Sequence, residues 1–249
     1  MMIDKLCYKI FHIPGYADYG NLRSALHKSL NDYLIDKISL LDTDTILISN
    51  EEEYLEFNNK YGLLDPQEKF KWGELGIWAS NLLAITNFLK SDYDYLMLME
   101  DDILVDEKNK FLPLLEKYMN QLPEDWDFFS YFVDPNQYDR FGFETVIGEF
   151  TGFSYHKRIQ VDKGDVVKAY QDWSMLCYVL NKKSAKKILD DVKSHGIKAP
   201  IDWYVFRQPE KFISYTLSPL AEKACDRYNT VSTFQLREIP VEINKNKGK

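Results

Sequence analysis

The sequence predicts an α/β protein with a mainly parallel sheet flanked by helices. Strand-like and helix-like segments alternate through the first half, the pattern of a sheet built with crossover helices. Tyr95 to Met99 are five consecutive apolar or aromatic residues with no alternation, as expected of a strand covered on both faces. That run stops at three acids, Glu100, Asp101 and Asp102. In open sheets of this kind ligands bind beyond the carboxyl ends of the strands.

The elements follow in order. KLCYKIFHI reads as a first strand, closed by the Pro14–Gly15 turn signal. Leu22, Ala25, Leu26, Leu30 and Leu34 then recur at helical spacing. Asp44 to Asn50 is a plausible second strand. EEEYLEFNNKYG has acids in its first turn and Gly62 near its end, the signature of a helix. In WGELGIWASNLLAITNFLK the residues Leu75, Trp78, Ala79, Leu82, Ile85 and Leu89 keep helical spacing, so Gly73 and Glu74 begin that helix. After the apolar strand come a helix near 111–120, a strand in WDFFSYFV and a loop through DPNQYDRFG. Residues 144–168, with Gly148, Gly152 and Gly164, read as a mobile lid or a small antiparallel insertion. SMLCYVLN is a strand, and SAKKILDDVKSHG is a helix with Ser184 as candidate N-cap and Gly196 as its stop. KFISYTL is a late strand. One domain over 1–240 is expected, with 134–170 an acceptor or lid insertion and 241–249 a frayed tail.

Composition narrows the class. The 249 residues are 45% hydrophobic and 15% aromatic, enough to build one large core. The net charge of −8 argues against a dedicated nucleic-acid binder. It leaves room for a phosphate-bearing substrate, since a bound divalent ion reverses the local sign. Cys7, Cys177 and Cys225 have neither zinc-site spacing nor the even count of a disulfide framework. No apolar run reaches the ~18 residues of a spanning helix, and Asp4 and Lys5 interrupt any signal-like core. A cytoplasmic location with no transmembrane segment is the expectation.

Several constellations can carry chemistry. Alternate residues of an extended segment point the same way, so Glu100 and Asp102 are expected to face one cavity and Asp101 another direction. Two carboxylates there form a hard oxygen site for Mg²⁺ or Mn²⁺, shared with substrate phosphates. The same triplet can also be read as a solvated acidic turn. Gly73-Glu74-Leu75-Gly76, with Ser80 and Asn81 further on, presents a helix N-terminus suited to phosphate or a sugar hydroxyl. In the plainer reading, Glu74 serves its own helix and the glycines serve packing. Asp202 in APIDWYVF is either a general base for an acceptor hydroxyl or a helix cap. Arg23 can pair with a diphosphate or lie solvated on the surface. Trp173 can stack on a sugar ring, and His156 in the lid can approach a metal. The four histidines show no metal-ligand spacing, and there is no P-loop, GxSxG or CxxC.

The order of GELGIWASNLLAITNFL, YDYLMLMEDDILVD and WDFFSY resembles glycosyltransferase family 25, the lipopolysaccharide and procollagen galactosyltransferase-like enzymes. Gly73, Glu74, Gly76, Ser80, Glu100, Asp101, Asp102, Trp126 and Asp127 carry the match. CYVLNKKSAKKIL, PIDWYVF and SPLAEKACDRYNTVST resemble its later segments. Asn81 stands where the family has His, and 134–170 has no counterpart. The resemblance implies a GT-A-like, Rossmann-like fold and a UDP-sugar donor, most often UDP-galactose or UDP-glucose. It also implies transfer to a glycan or glycoconjugate acceptor with inversion. On that reading Mn²⁺ or Mg²⁺ is held chiefly by Asp102, with Glu100. Arg23, Gly73, Ser80, Glu100 and Asp101 bind the donor, together with Gly15 and Tyr16 of the first turn. Asp202 is the first choice of base and Glu74 the second. The rival readings are a nucleotidyltransferase on a similar sheet and a non-catalytic sugar-binding relative.

Overall fold

The computed structural model describes residues 2–13, 22–105, 108–132, 148–150, 153–155, 166–169, 175–206, 208, 210–217 and 221–227. Its centre is a sheet of seven strands. These are β1 (Leu6–Phe11), β2 (Ser39–Leu40), β3 (Tyr95–Glu100), β5 (Phe128–Ser130), β8 (Val166–Ala169), β9 (Cys177–Asn181) and β10 (Ser214–Leu217). The spatial order is β2-β1-β3-β9-β5-β10-β8. β1 runs parallel to β2 and β3, and β10 runs parallel to β5. β9 is antiparallel to both β3 and β5, so those two share a direction, and β8 is antiparallel to β10. Five strands thus point one way and two the other. Among the described residues two small pairs complete the β-structure. β4 (Ile103–Leu104) pairs with β11 (Asp226–Arg227), and β6 (Gly148–Phe150) pairs with β7 (Phe153–Tyr155), both antiparallel.

The apolar run of β3 works as expected of a central strand. Met97 and Met99 join the core on one face, while Leu96 and Leu98 join the core on the other. All four are fully buried. Helices α1 (Leu22–Leu34) and α4 (Lys108–Met119) cover the first face through Leu30, Leu34, Phe111, Leu115 and Tyr118. The second face is covered by α2 (Glu51–Tyr61), α3 (Trp72–Lys90), α5 (Lys182–His195) and α6 (Ile201–Phe206). Each large side chain buried there, such as Trp78 or Phe88, contributes roughly 1.5–3 kcal/mol from apolar burial.

Two expectations need correction. The second strand is Ser39–Leu40, extended by Leu41 N–H donating to the carbonyl of Tyr8, and not Asp44–Asn50. Residues 44–50 bond elsewhere, as described below. The N-cap of α5 is Asn181, whose Oδ1 accepts from Ser184 N–H at 2.9 Å; Ser184 lies buried in the first turn. Asn50 caps α2 in the same way. Gly62 (φ 60°, ψ 31°) ends α2 in the left-handed region and Gly196 (φ 68°, ψ −174°) ends α5 with a positive φ, as their place in the sequence implies. The three cysteines are free and buried. Among the described residues no helix is long and apolar enough to cross a membrane. Gly15, Tyr16, His156, Trp173, the tail 241–249 and much of 134–170 lie outside the described residues.

Candidate active site

The parallel register of β1 on β3 places Phe11 beside Glu100. The residues that follow each strand, His12 and Asp101, therefore emerge together at the carboxyl edge of the sheet. His12 Nδ1 lies 2.8 Å from Asp101 Oδ2. An ionised carboxylate only accepts hydrogen bonds, so Nδ1 carries the proton and donates, while Nε2 faces the Ser24 hydroxyl at 3.4 Å. His27 stacks on His12 with ring centroids 4.5 Å apart. Burial, reinforced by the neighbouring His12, pushes the His27 pKa down.

The acids have a further partner. Arg23, in the first turn of α1, donates from Nη1 to Asp101 Oδ1 at 2.8 Å and from Nη2 to Asp102 Oδ2 at 3.1 Å. The side chains of Arg23, Asp101 and Asp102 are only 8–9% exposed. One guanidinium thus bridges two buried carboxylates in the forked geometry that arginine suits.

Beside this cluster lies a cleft with about 670 Å³ of empty space, counting the part open to solvent. Of the residues singled out in the sequence, Arg23, Gly73, Ser80, Glu100 and Asp101 line it together. Asp102 does not. The expected alternation fails because β3 stops at Glu100 and residues 101–102 form a turn. The pair facing the cleft is therefore Glu100 with Asp101, and Asp102 faces Arg23.

The opposite wall comes from α3 and residues 45–48. Gly76 lets the two approach closely. A Cβ there would sit 3.1 Å from the Ile46 carbonyl oxygen and 3.2 Å from Ile48 N. Ser80 Oγ accepts from Ile46 N–H at 2.8 Å and lies 2.9 Å from the Gly76 carbonyl that it can donate to. Residues 45–48 are thus pinned to a helix, which is why they do not extend the sheet. Deeper in the cleft the Tyr178 hydroxyl donates to Asn81 Oδ1, and Asn81 Nδ2 donates to the Ile77 carbonyl at 2.8 Å. Burial, and then the nearby charge of Glu100, hold the Tyr178 phenol well above its ordinary pKa, so it remains a donor.

The two candidate bases are placed differently. Glu74 turns back to accept from Lys71 N–H at 2.8 Å, closing the first turn of α3. Lysine has no side-chain acceptor to return the contact, so only the glutamate half of a capping box is made. Asp202 accepts from Trp203 N–H at 2.9 Å in the first turn of α6. Neither lines the cleft with Glu100 and Asp101. Trp203 lines a second cleft, with Asp191, His195 and Lys211.

His12, Tyr178 and the 45–48 wall were not picked out as site residues from the sequence. A signal existed for His12: parallel neighbours β1 and β3 must end side by side, and it stands one residue past the first. No local pattern marks Tyr178, whose partner Asn81 is far away in the chain.

Among the described residues no three His, Cys, Asp or Glu side chains form a ready-made metal cage. Glu100 and Asp101 nevertheless offer hard oxygens to one cavity. That donor set fits Mg²⁺ or Mn²⁺, which commonly rely on one or two carboxylates plus substrate phosphates.

Structural similarity is found to A197 from STIV, at 13% identity and a TM-score of 0.43, over 91% of this chain and 86% of that one. It is also found to a glycosyltransferase involved in the glycosylation of the major capsid of PBCV-1, at 12% identity and a TM-score of 0.45, over 94% and 97%. No curated protein sequence matches. The model of glycosyltransferase family 25 (LPS biosynthesis protein) matches residues 31–205, and the chain belongs to that family.

Proposed function

We propose that this chain transfers a hexose, galactose or glucose, from a UDP-sugar to a hydroxyl of a glycan or glycoconjugate, with inversion at the anomeric carbon. The observation that carries the reading is the convergence of Glu100, Asp101, Arg23 and the start of α3 on one cleft at the carboxyl edge of the sheet. Beyond family membership, this is where an α/β sheet presents a bound nucleotide.

In this reading Glu100 and Asp101 would hold Mn²⁺ or Mg²⁺, which neutralises the charge that builds on the departing diphosphate. The N-terminal turn of α3 meets the cleft at Gly73, and the positive dipole end of a helix favours an anionic ligand there. Arg23 and His12 orient Asp101. The proton of the acceptor hydroxyl is assigned to Asp202, which lies outside the lining of the cleft and accepts from Trp203 N–H. Asp202 stands at the start of a short helix tied to α3, where Trp78 Nε1 donates to the Ala199 carbonyl at 2.9 Å. Glu74, held as a cap, is the weaker candidate for base.

A thermal-shift panel tests this directly. UDP, UDP-galactose and UDP-glucose should raise the melting temperature, more so with Mn²⁺, and UTP should raise it less. A UDP-hexose shift accompanied by release of UDP in the presence of an acceptor identifies transfer. Release of pyrophosphate from UTP would instead indicate nucleotidyl transfer, and binding of UDP-sugar with no turnover would indicate a sugar-binding relative.

A further inference from the structure

We propose that Arg23 is a resident counter-ion of the acidic triplet that competes with the divalent ion, so that metal and nucleotide diphosphate bind as a coupled pair. The inference rests on the functional reading above and adds to it how the site is loaded.

Both oxygens of Asp101 are already hydrogen-bonded, one to Arg23 and one to His12. Asp102 is tied to the other arm of the same guanidinium and is absent from the cleft lining. Arg23 itself lines the cleft beside Glu100 and Asp101. An ion seated on those two carboxylates therefore sits next to a fixed positive charge. Like charges repel more strongly beside buried side chains than in bulk water. A carboxylate whose oxygens already accept from a guanidinium is also a poorer ligand.

Two things can relieve this. A diphosphate adds negative charge at the same place and supplies further hard oxygens. Removal of the guanidinium does the same from the protein side. Each ligand must then strengthen the other reciprocally, and the strength of that coupling is set by Arg23. Lysine at this position keeps a charge but presents a single ammonium that cannot fork across two carboxylates, so it should weaken the competition only in part.

The experiment is a Mn²⁺ titration followed by the EPR signal of the free ion, with and without UDP. In the wild type, UDP should tighten Mn²⁺ binding by about tenfold or more, as the diphosphate completes the coordination shell. Arg23→Met should tighten Mn²⁺ binding in the absence of UDP by about tenfold and shrink the UDP effect, with Arg23→Lys between, because the positive charge that competes with the ion for Asp101 is removed. Asp102→Asn should leave Mn²⁺ affinity in the presence of UDP within about threefold of wild type, since Asp102 does not face the hard-oxygen site. If Arg23→Met fails to fold alone, added Mn²⁺ should restore its melting transition. Unchanged or weaker Mn²⁺ binding in Arg23→Met, no rescue of an unfolded variant, or loss of Mn²⁺ binding in Asp102→Asn would each overturn the proposal. The arm with Mn²⁺ alone contains no nucleotide. It decides the role of Arg23 even if UDP does not bind, a result that would remove the functional reading instead.

Discussion

Asp101 and Asp127 are both buried carboxylates of the central sheet, and they stand at opposite edges of it. Asp127 precedes β5 at the amino edge, and its side chain is 1% exposed. It is ringed by donors: Lys187 Nζ at 2.8 Å, Ile213 N–H at 3.0 Å, Lys183 Nζ at 3.3 Å and the Ser184 hydroxyl at 3.4 Å. Those contacts tie β5 to α5 and to the approach of β10. The lysines reach in from solvent on flexible stems. Asp101 follows β3 at the carboxyl edge and is balanced by a buried, rigid arginine at the wall of a cleft. Both acids belong to the stretches that carry the family resemblance. Burial and ion pairing are therefore not what separates a site residue from a structural one. The separation lies in which edge of the sheet the acid occupies, and in whether its counter-ion also faces a cavity.

Mutations can break this contrast, in descending order of effect. Arg23→Met should cost about 3–5 kcal/mol in urea unfolding, the penalty of leaving a buried charge without its partner. It should also disturb ligand binding, since Arg23 lines the cleft. Asp127→Asn keeps some hydrogen bonds and removes the charge, so a loss of about 1–3 kcal/mol is expected, with UDP affinity of the folded protein unchanged. A change in UDP affinity there would erase the distinction between the two edges. Lys183→Met should alter stability by less than about 0.5 kcal/mol, because that lysine is 56% exposed and Lys187 still pairs with Asp127 at 2.8 Å.

What was readable in the sequence was whatever is local. The β3 run, the helical spacing of α3 and the glycine stops depend on neighbours a few residues away, and each is found in the fold. The gathering of Arg23, Gly73, Ser80, Glu100 and Asp101 was legible only through family resemblance and the rule about strand ends. Their exact partners were not. Arg23 meets Asp101 across 78 residues of chain, and no periodicity encodes such a contact. Alternation puts Asp102 in the cavity only if the strand continues; the turn beginning at Asp101 sets Asp102 against Arg23 instead. Ser80 illustrates a different limit. It lines the cleft as expected, yet its hydroxyl is engaged by the main chain of residue 46 and of its own helix. Glu74 likewise shows how a residue matching a family motif can be occupied by local capping.

The position of β9 has a consequence for how the protein is made. It lies between β3 and β5, antiparallel to both, and pairs Asn181 with Tyr95 and Leu180 with Phe128. During synthesis β3 and β5 leave the ribosome well before it, so each has an open edge until the chain has been extended through Asn181. Pairings so distant in sequence form slowly, and open strand edges invite association with other chains. Until β9 emerges the nascent protein therefore holds only β2-β1-β3 of the central sheet as paired strands, and β5 waits without a partner for β9 and then for β10. Cells expressing it at high level should accumulate aggregates most readily when translation stalls or terminates upstream of residue 177.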